Sequence, residues 1–356
     1  MPVAPKRNNG KDQFLTVLLG NVISEYPADG GVLRELCQNA DDAGADVIEF
    51  VLDTRQYPTE NLLHEDLAEF QGVSLLAFNN KPFTQKAFES LTRIGEGRKA
   101  EDLTSTGRFG RGFNSVYNWT DNPSILSGTS LLLLDPHKTW SSKIGFPGGP
   151  LYDFVDSCDE PEMRNQLSAF DSILKSYDTD FEGTIIRLPL RNEAQARRSE
   201  IVEDHLSTSQ KDIEDVFQLF TNELVESLLF LRNLRSITLR IDDIIFAKAE
   251  STVPNERIID RGENPVNEGY RQVFVEQSKE HYESDFMMEI NILRSAEPGT
   301  APFETKVKYA ISHYLRKFME DENLQKWARN RKLFPWVAIA NPLDVRSPFK
   351  ITDKNI

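Results

Sequence analysis

Arg34-Glu35-Leu36-Cys37-Gln38-Asn39-Ala40-Asp41-Asp42-Ala43 carries an apolar stripe and a polar one on the same stretch of chain. Val32, Leu33, Leu36, Cys37 and Ala40 recur at helical spacing, which predicts a helix from about Gly31 to Ala43 with Gly44 able to end it. Glu35 and Asn39 fall one turn apart on its polar side, and Asp42 follows three residues later. An acid and a carboxamide facing one cleft suit metal–nucleotide chemistry. The amide oxygen is a hard ligand for Mg²⁺, and a carboxylate can polarise a water. An ordinary amphipathic helix has the same pattern, so these ten residues acquire a function only through their neighbours.

Upstream, Phe14, Leu15, Leu18, Leu19, Val22 and Ile23 predict a further helix that Pro27 stops. Downstream, Asp46–Asp53 and Val73–Phe78 read as strands, and Thr84 as the N-cap of a helix through about Arg93. The polar segment Ile94–Gly107 has no apolar period and reads as a mobile loop. Phe113, Val116 and Tyr117 begin another helix, Ser124–Ser127 and Ser130–Asp135 are strands around Gly128, and Thr184–Leu190 is an interior strand. Polar composition from Asn192 to Gln210 marks a boundary. Beyond it we expect an amphipathic helix over Asp212–Leu231 and a hairpin over Ser236–Ala247 turning at Asp242–Asp243. Strands are expected near Tyr270–Val275 and Phe286–Leu293, and helices near Val307–Met319 and Glu322–Arg331.

Two more elements bear on chemistry. Gly107-Arg108-Phe109-Gly110-Arg111-Gly112-Phe113 leads into a helix, and glycines there let backbone N–H groups approach phosphate oxygens beside a favourable helix dipole. The order matches neither a dinucleotide fingerprint nor a Walker A loop. Gly95, Gly97 and Ala100 do spell the former, but they follow a helix rather than a strand. Gly183-Thr184 opens the interior strand, where a threonine hydroxyl can bond an adenine edge. Each element alone is weak evidence.

Taken in order, the three resemble the N-box, the second glycine box and the last box of the ATPase superfamily that includes gyrase, ninety-kilodalton heat-shock chaperones, histidine kinases and mismatch-repair ATPases. Glu25-Tyr26-Pro27, Asn39–Ala45, Phe78-Asn79-Asn80, Gly107–Tyr117, Pro123–Gly128 and Asp135-Pro136-His137 bring the resemblance closer to the Hsp90-like repeats of the sacsin family, over about Phe14–Arg191. This implies a Bergerat-type, two-layer α/β sandwich over residues 1–191, with helices on one face of a mixed sheet and ATP or ADP held with Mg²⁺ on the helical side. A second α/β domain would occupy residues 192–356. Glu35 would be the general base, Arg34 would steer its carboxylate, Asn39 would bind Mg²⁺, and Asp42 would support the cleft. Gly107, Gly110 and Gly112 would shape the phosphate loop, Phe113 would line the pocket, and Thr184 would lie near the adenine.

The chain departs from the superfamily pattern in two places. An aspartate usually accepts the adenine amino group, whereas here the place falls to Asn79 or Asn80, in Asn79-Asn80-Lys81-Pro82-Phe83. A neutral amide accepts that bond without charge assistance, roughly halving its strength. Sacsin repeats tend to share these asparagines. Glu96 stands where relatives tend to carry a basic residue, although Arg93, Arg98, Lys99, Arg108 and Arg111 still favour a polyphosphate.

Composition narrows the class. Apolar residues at 39% and charged residues at 27% can bury real cores. A net charge of −15 argues against nucleic acid as a partner, since that affinity comes from clustered cations. Cys37 and Cys158 lack metal-ligand spacing and fit a reducing, cytoplasmic setting. The polar start has no apolar core of a signal peptide, and runs such as Leu131–Leu134 fall far short of the roughly 18 residues of a membrane span. A histidine kinase would need an upstream phospho-acceptor helix, and a DNA-remodelling ATPase a basic second domain; neither is legible. The expected function is slow ATP hydrolysis in a chaperone-type protein with protein clients, as a dimer or a piece of a longer parent chain. The alternative is a pseudo-ATPase that keeps nucleotide as a structural ligand.

Overall fold

Strand β1 (Val47–Asp53) sits in the middle of one mixed sheet, paired antiparallel to β2 (Ser74–Asn79) on one side and parallel to β7 (Ser236–Ile241) on the other. The computed structural model describes residues 15–24, 30–84, 88, 112–202, 206–229, 231–252, 281–295, 302–316 and 336–342. The remaining strands are β3 (Ser124–Gly128), β4 (Ser130–Leu133), β5 (Leu151–Asp153), β6 (Phe181–Pro189), β8 (Ile244–Thr252), β9 (His281–Arg294), β10 (Phe303–Arg316) and β11 (Trp336–Pro342). Their order across the sheet is β11-β10-β9-β8-β7-β1-β2-β6-β3-β4-β5. The sheet therefore runs without a break across the polar stretch that follows Arg191, because β7 hydrogen-bonds to β1.

Alternation along each strand sorts side chains to two faces. Ile48, Phe50 and Leu52, Leu75 and Ala77, Ile186 and Leu188, and Ile237 and Leu239 point to one core. That core also takes the buried sides of α1 (Leu15–Ser24) and α2 (Gly30–Asp42). Val51, Leu76, Leu126, Leu131, Leu133 and Ile185 point the other way, into a second core with Trp140, Phe154 and Phe170, and with Met163 and Leu167 of helix α3 (Pro161–Leu167). The helical layer predicted on one face is present, and the opposite face carries its own cover of short helical segments and loops. Burial on both sides explains why the central strands read as nearly continuous apolar runs. Further out, β8 to β10 alternate instead. Ala247, Ala249, Ile290, Ile292 and Val307 face the helical core, while Lys248 pairs with Glu250, and Glu289 with Lys306 and Lys308.

Helix α2 ends as expected, Gly44 N–H bonding to Asp41 O at 2.9 Å and Ala45 N–H to Ala40 O at 2.9 Å. Three expectations need correction. The helix read over Asp212–Leu231 is two, α5 (Gln210–Thr221) and α6 (Leu224–Leu229), after a short α4 (Glu193–Ala196). At the break, Thr221 O, which a continuing helix would bond to Val225 N–H, accepts from Arg294 at 3.0 Å. The helix expected near Val307–Met319 is strand β10, paired with β9 along its whole length. Phe303, Val307, Ile311 and Leu315 recur every fourth residue, and that spacing satisfies a helix face and a strand face alike. Lastly, the helix begun by Phe113 is a 3-10 segment, Phe113–Asn118. The strand and helix expected near Tyr270–Val275 and Glu322–Arg331 lie outside the described residues, as does most of the helix predicted after Thr84. Among the described residues no helix is long and apolar enough to cross a membrane.

One buried carboxylate on the second face gives a pH prediction. Asp53 accepts from Arg55 Nε at 2.8 Å and Tyr57 Oη at 2.6 Å. Burial alone raises its pKa, but these bonds and the Arg55 charge outweigh it and hold the carboxyl below its ordinary value. A lowered folded-state pKa stabilises above the unfolded value, about 3.9, and that stability is lost as pH falls through the folded one. Urea unfolding should therefore show Asp53→Asn weaker than the parent at pH 7, with the gap narrowing below about pH 4. A constant gap would assign the effect to packing.

Candidate functional site

The predicted general base and the last loop glycine meet in space. Glu35 projects half-buried from α2, and its carboxylate lies directly on the backbone of Gly112, where the 3-10 segment Phe113–Asn118 begins. A Cβ added at Gly112 would overlap Glu35 Oε2 and stand 3.0 Å from Cδ, so any other residue there would displace the Glu35 carboxylate from this position. Asn39 follows one turn along α2, also half-buried. Phe113 is 3% exposed in the helical-face core, beneath these polar groups rather than beside open solvent.

The strand ends supply the second half of the site. Asn79 on β2 pairs with Thr184 on β6, and both belong to the helical face. The approach of the two strands is close: a Cβ on Gly183 would stand 2.7 Å from Asn79 O and 2.9 Å from the Phe78 ring. Asn80 turns elsewhere, accepting from Asp46 N–H at 3.2 Å and donating to the Asp46 carboxylate. That leaves Asn79 as the amide on the site side of the pair. Its Oδ1 accepts from Lys81 N–H at 3.0 Å. The Thr184 hydroxyl is fully buried, donating to Lys81 O at 2.8 Å and standing 2.9 Å from Ser127 Oγ.

Two residues read into the cleft also pair across to the segment around α6. Arg34 forms an ion pair with Glu223, just before α6, and Asp42 accepts from Arg232 Nη2 at 2.5 Å, just after it. Asp41, buried, accepts from the backbone N–H groups of Asn233 and Leu234 at 2.6 and 2.9 Å. Arg34 in the first half of α2 and Asp41 and Asp42 at its end thus tie the helix that carries Glu35 and Asn39 to the segment around α6. Gly107, Gly110, Glu96, the loop cations and Glu25-Tyr26-Pro27 lie outside the described residues.

Sequence reasoning missed Ser127, Glu223, Arg232 and Arg191. Only Ser127 had a local signal, as a polar residue within the apolar strand Ser124–Gly128. The others act across long stretches of chain. Cys37, on the buried side of α2, has its thiol pushed far above the ordinary range by burial and secondarily by the Asp41 charge. A cavity of about 420 Å³ beside α1, lined by Ile23, Trp119, Ile201 and Leu206 among others, shares no lining residue with the site.

Similarity to known proteins covers the elements that carry these residues. The family model described as Sacsin domain matches residues 12–252, more than half of the chain. Human Sacsin is 36% identical over 233 residues, which is 64% of this chain. The match spans 5% of the length of that relative. The matched segment contains α2, the Gly112 turn, Asn79 and Thr184, the groups that form the site, and it extends through β8. The chain belongs to the Sacsin domain family.

Proposed function

We propose that this chain binds ATP with Mg²⁺ on the helical face of its sheet and hydrolyses it slowly, as a nucleotide-responsive segment of a chaperone-type protein. The observation that carries the reading is the seat of the Glu35 carboxylate on Gly112, the glycine that precedes the 3-10 segment Phe113–Asn118. The donor set fits the group: Mg²⁺ takes hard oxygens, keeps several waters, and is usually held by one or two protein ligands plus phosphate oxygens. Asn39 would supply the protein oxygen, with Glu35 one turn away to orient a water. When bound, the metal would neutralise phosphate charge. The backbone at Gly112 would take phosphate oxygens, and Asn79 would meet the base. Clients, dimerisation and a cytoplasmic setting belong to the same reading, in keeping with two free cysteines.

Calorimetric titration of the chain with ATP tests it. Binding is expected with Mg²⁺ and should weaken when the metal is chelated. Asn39→Ala should lose the metal-dependent part, about tenfold for one charge-assisted ligand contact. Absence of binding at millimolar nucleotide would sink the proposal. A second reading, nucleotide as a structural ligand without turnover, draws support from the strand ends, where the Thr184 hydroxyl and Asn79 oxygen already have intramolecular partners.

A further inference from the structure

We infer that the base end of this site is read by a hydrogen-bond donor, the Asn79 amide nitrogen, so that 6-oxopurine nucleoside triphosphates bind at least as tightly as ATP. The inference rests on the nucleotide reading above and sharpens its substrate class.

The orientation of the Asn79 amide follows from its neighbour. Lys81 N–H lies 3.0 Å from Oδ1. Rotating the amide by half a turn would set its NH₂ against that N–H, two donors face to face, in a side chain only 8% exposed. The oxygen therefore faces the loop after β2, and the nitrogen points away from it. Among the described residues the nitrogen donates to none.

The hydroxyls beside it have no proton to give. Thr184 Oγ1 donates to Lys81 O at 2.8 Å, and Ser127 Oγ donates to Gly183 O at 2.8 Å. Ser127 Oγ also accepts from Phe83 N–H at 2.7 Å. Each hydroxyl has one proton, and the two protons are shared among Lys81 O, Gly183 O and the contact between the hydroxyls themselves. Both hydroxyls are buried, Thr184 at 0% and Ser127 at 2% exposure, so neither reorients without losing a bond that water cannot replace. The Asn79 NH₂ is the donor left for a base.

The Asn79 amide can serve either purine class, since its NH₂ donates to N1 of adenine or to the 6-oxo group of hypoxanthine or guanine. The 6-amino group of adenine is itself a donor, whereas the 6-oxo group of hypoxanthine or guanine is an acceptor. An amide also accepts the N1–H of a 6-oxopurine through its second lone pair, which keeps the pairing two-pronged. A carboxylate in this position would present acceptors alone and select the amino group.

Inosine triphosphate is the clean probe, since it replaces the amino group with an oxo group and adds nothing at position 2. Titrating the full chain with the Mg²⁺ salts of ATP and inosine triphosphate should give a Kd for the latter equal to or below that for ATP. Asn79→Asp keeps an acceptor for Lys81 N–H, so it should move the ratio of the two Kd values by about tenfold toward ATP, the scale of one hydrogen bond. An ATP preference of tenfold or more in the parent overturns the inference and leaves the nucleotide site standing. An unchanged ratio in a folded Asn79→Asp variant does the same. Binding of neither nucleotide overturns both.

Discussion

Glu35→Ala is expected to lower single-turnover ATP hydrolysis by about 10²–10⁴-fold, the usual worth of general-base assistance, with little change in MgATP affinity. The separation follows from position. The Glu35 carboxylate lies on Gly112, where the terminal phosphate would end, while the groups proposed to hold the metal and the base are Asn39, Asn79 and the loop backbone. Glu35→Gln should fall as far, because it keeps the shape and removes the base. The parent itself should be slow. Family resemblance implies that a cation from a later segment stabilises charge on the terminal phosphate, and Arg34, the nearest cation on α2, is held by Glu223. Affinity and single-turnover rate measured on one preparation of each protein decide the matter. Equal rates in parent and Glu35→Ala would remove Glu35 from the chemistry and leave nucleotide as a structural ligand.

The helical face of the fold was legible because each element repeats one period and ends on a marked residue. Val32 to Ala40 follow 3.6-residue spacing and stop at Gly44; β1 and β2 are short apolar runs between polar turns. Strand β10 was not legible, since residues four apart share a face in both helix and strand. At the break between α5 and α6, Thr221 O accepts from Arg294, a residue far along the chain that no local window includes. Within the site, Glu35, Asn39 and Gly112 could be named only through family resemblance, because nothing near Glu35 announces a glycine so distant in sequence. The same limit applies to Arg34 and Asp42. Their charges suited a cleft, and their partners, Glu223 and Arg232, become neighbours only once α6 packs beside α2. Asn79 and Asn80 looked interchangeable until the backbone at Asp46 and Lys81 gave each its own partner.

The largest loss of stability is expected from Arg191→Met, about 3–5 kcal/mol, the range for breaking a buried hydrogen-bonded ion pair. The Arg191 side chain is fully buried just after β6. Its Nη2 donates to Tyr117 O at 2.6 Å, Thr120 O at 3.0 Å and Asp121 Oδ1 at 2.7 Å; Nη1 donates to Asn118 O at 3.0 Å, and Nε to Asp121 Oδ1 at 2.9 Å. Its own N–H bonds Trp119 O at 2.8 Å. One guanidinium thus collects the carbonyls released where Phe113–Asn118 stops, and a planar fork with five donors can do this where an ammonium cannot. Methionine preserves much of the length and apolar stem, so the lost term is the network rather than a cavity. The buried carbonyls of Tyr117 and Thr120, the half-buried Asn118 O and the Asp121 carboxylate would be left short of partners. Arg191→Lys should lie between, keeping the charge while reaching fewer acceptors. Against a typical total of about 5–15 kcal/mol, the methionine variant would sit near the folding threshold. Urea unfolding of the three proteins measures the order. A loss under about 1 kcal/mol in Arg191→Met would mean that water takes over these acceptors and that the turn is held by Phe113 and Trp119 packing instead. Because Gly112 opens this 3-10 segment, the folded fraction of Arg191→Met should also bind MgATP more weakly, even though Arg191 lies outside the groups proposed to touch nucleotide.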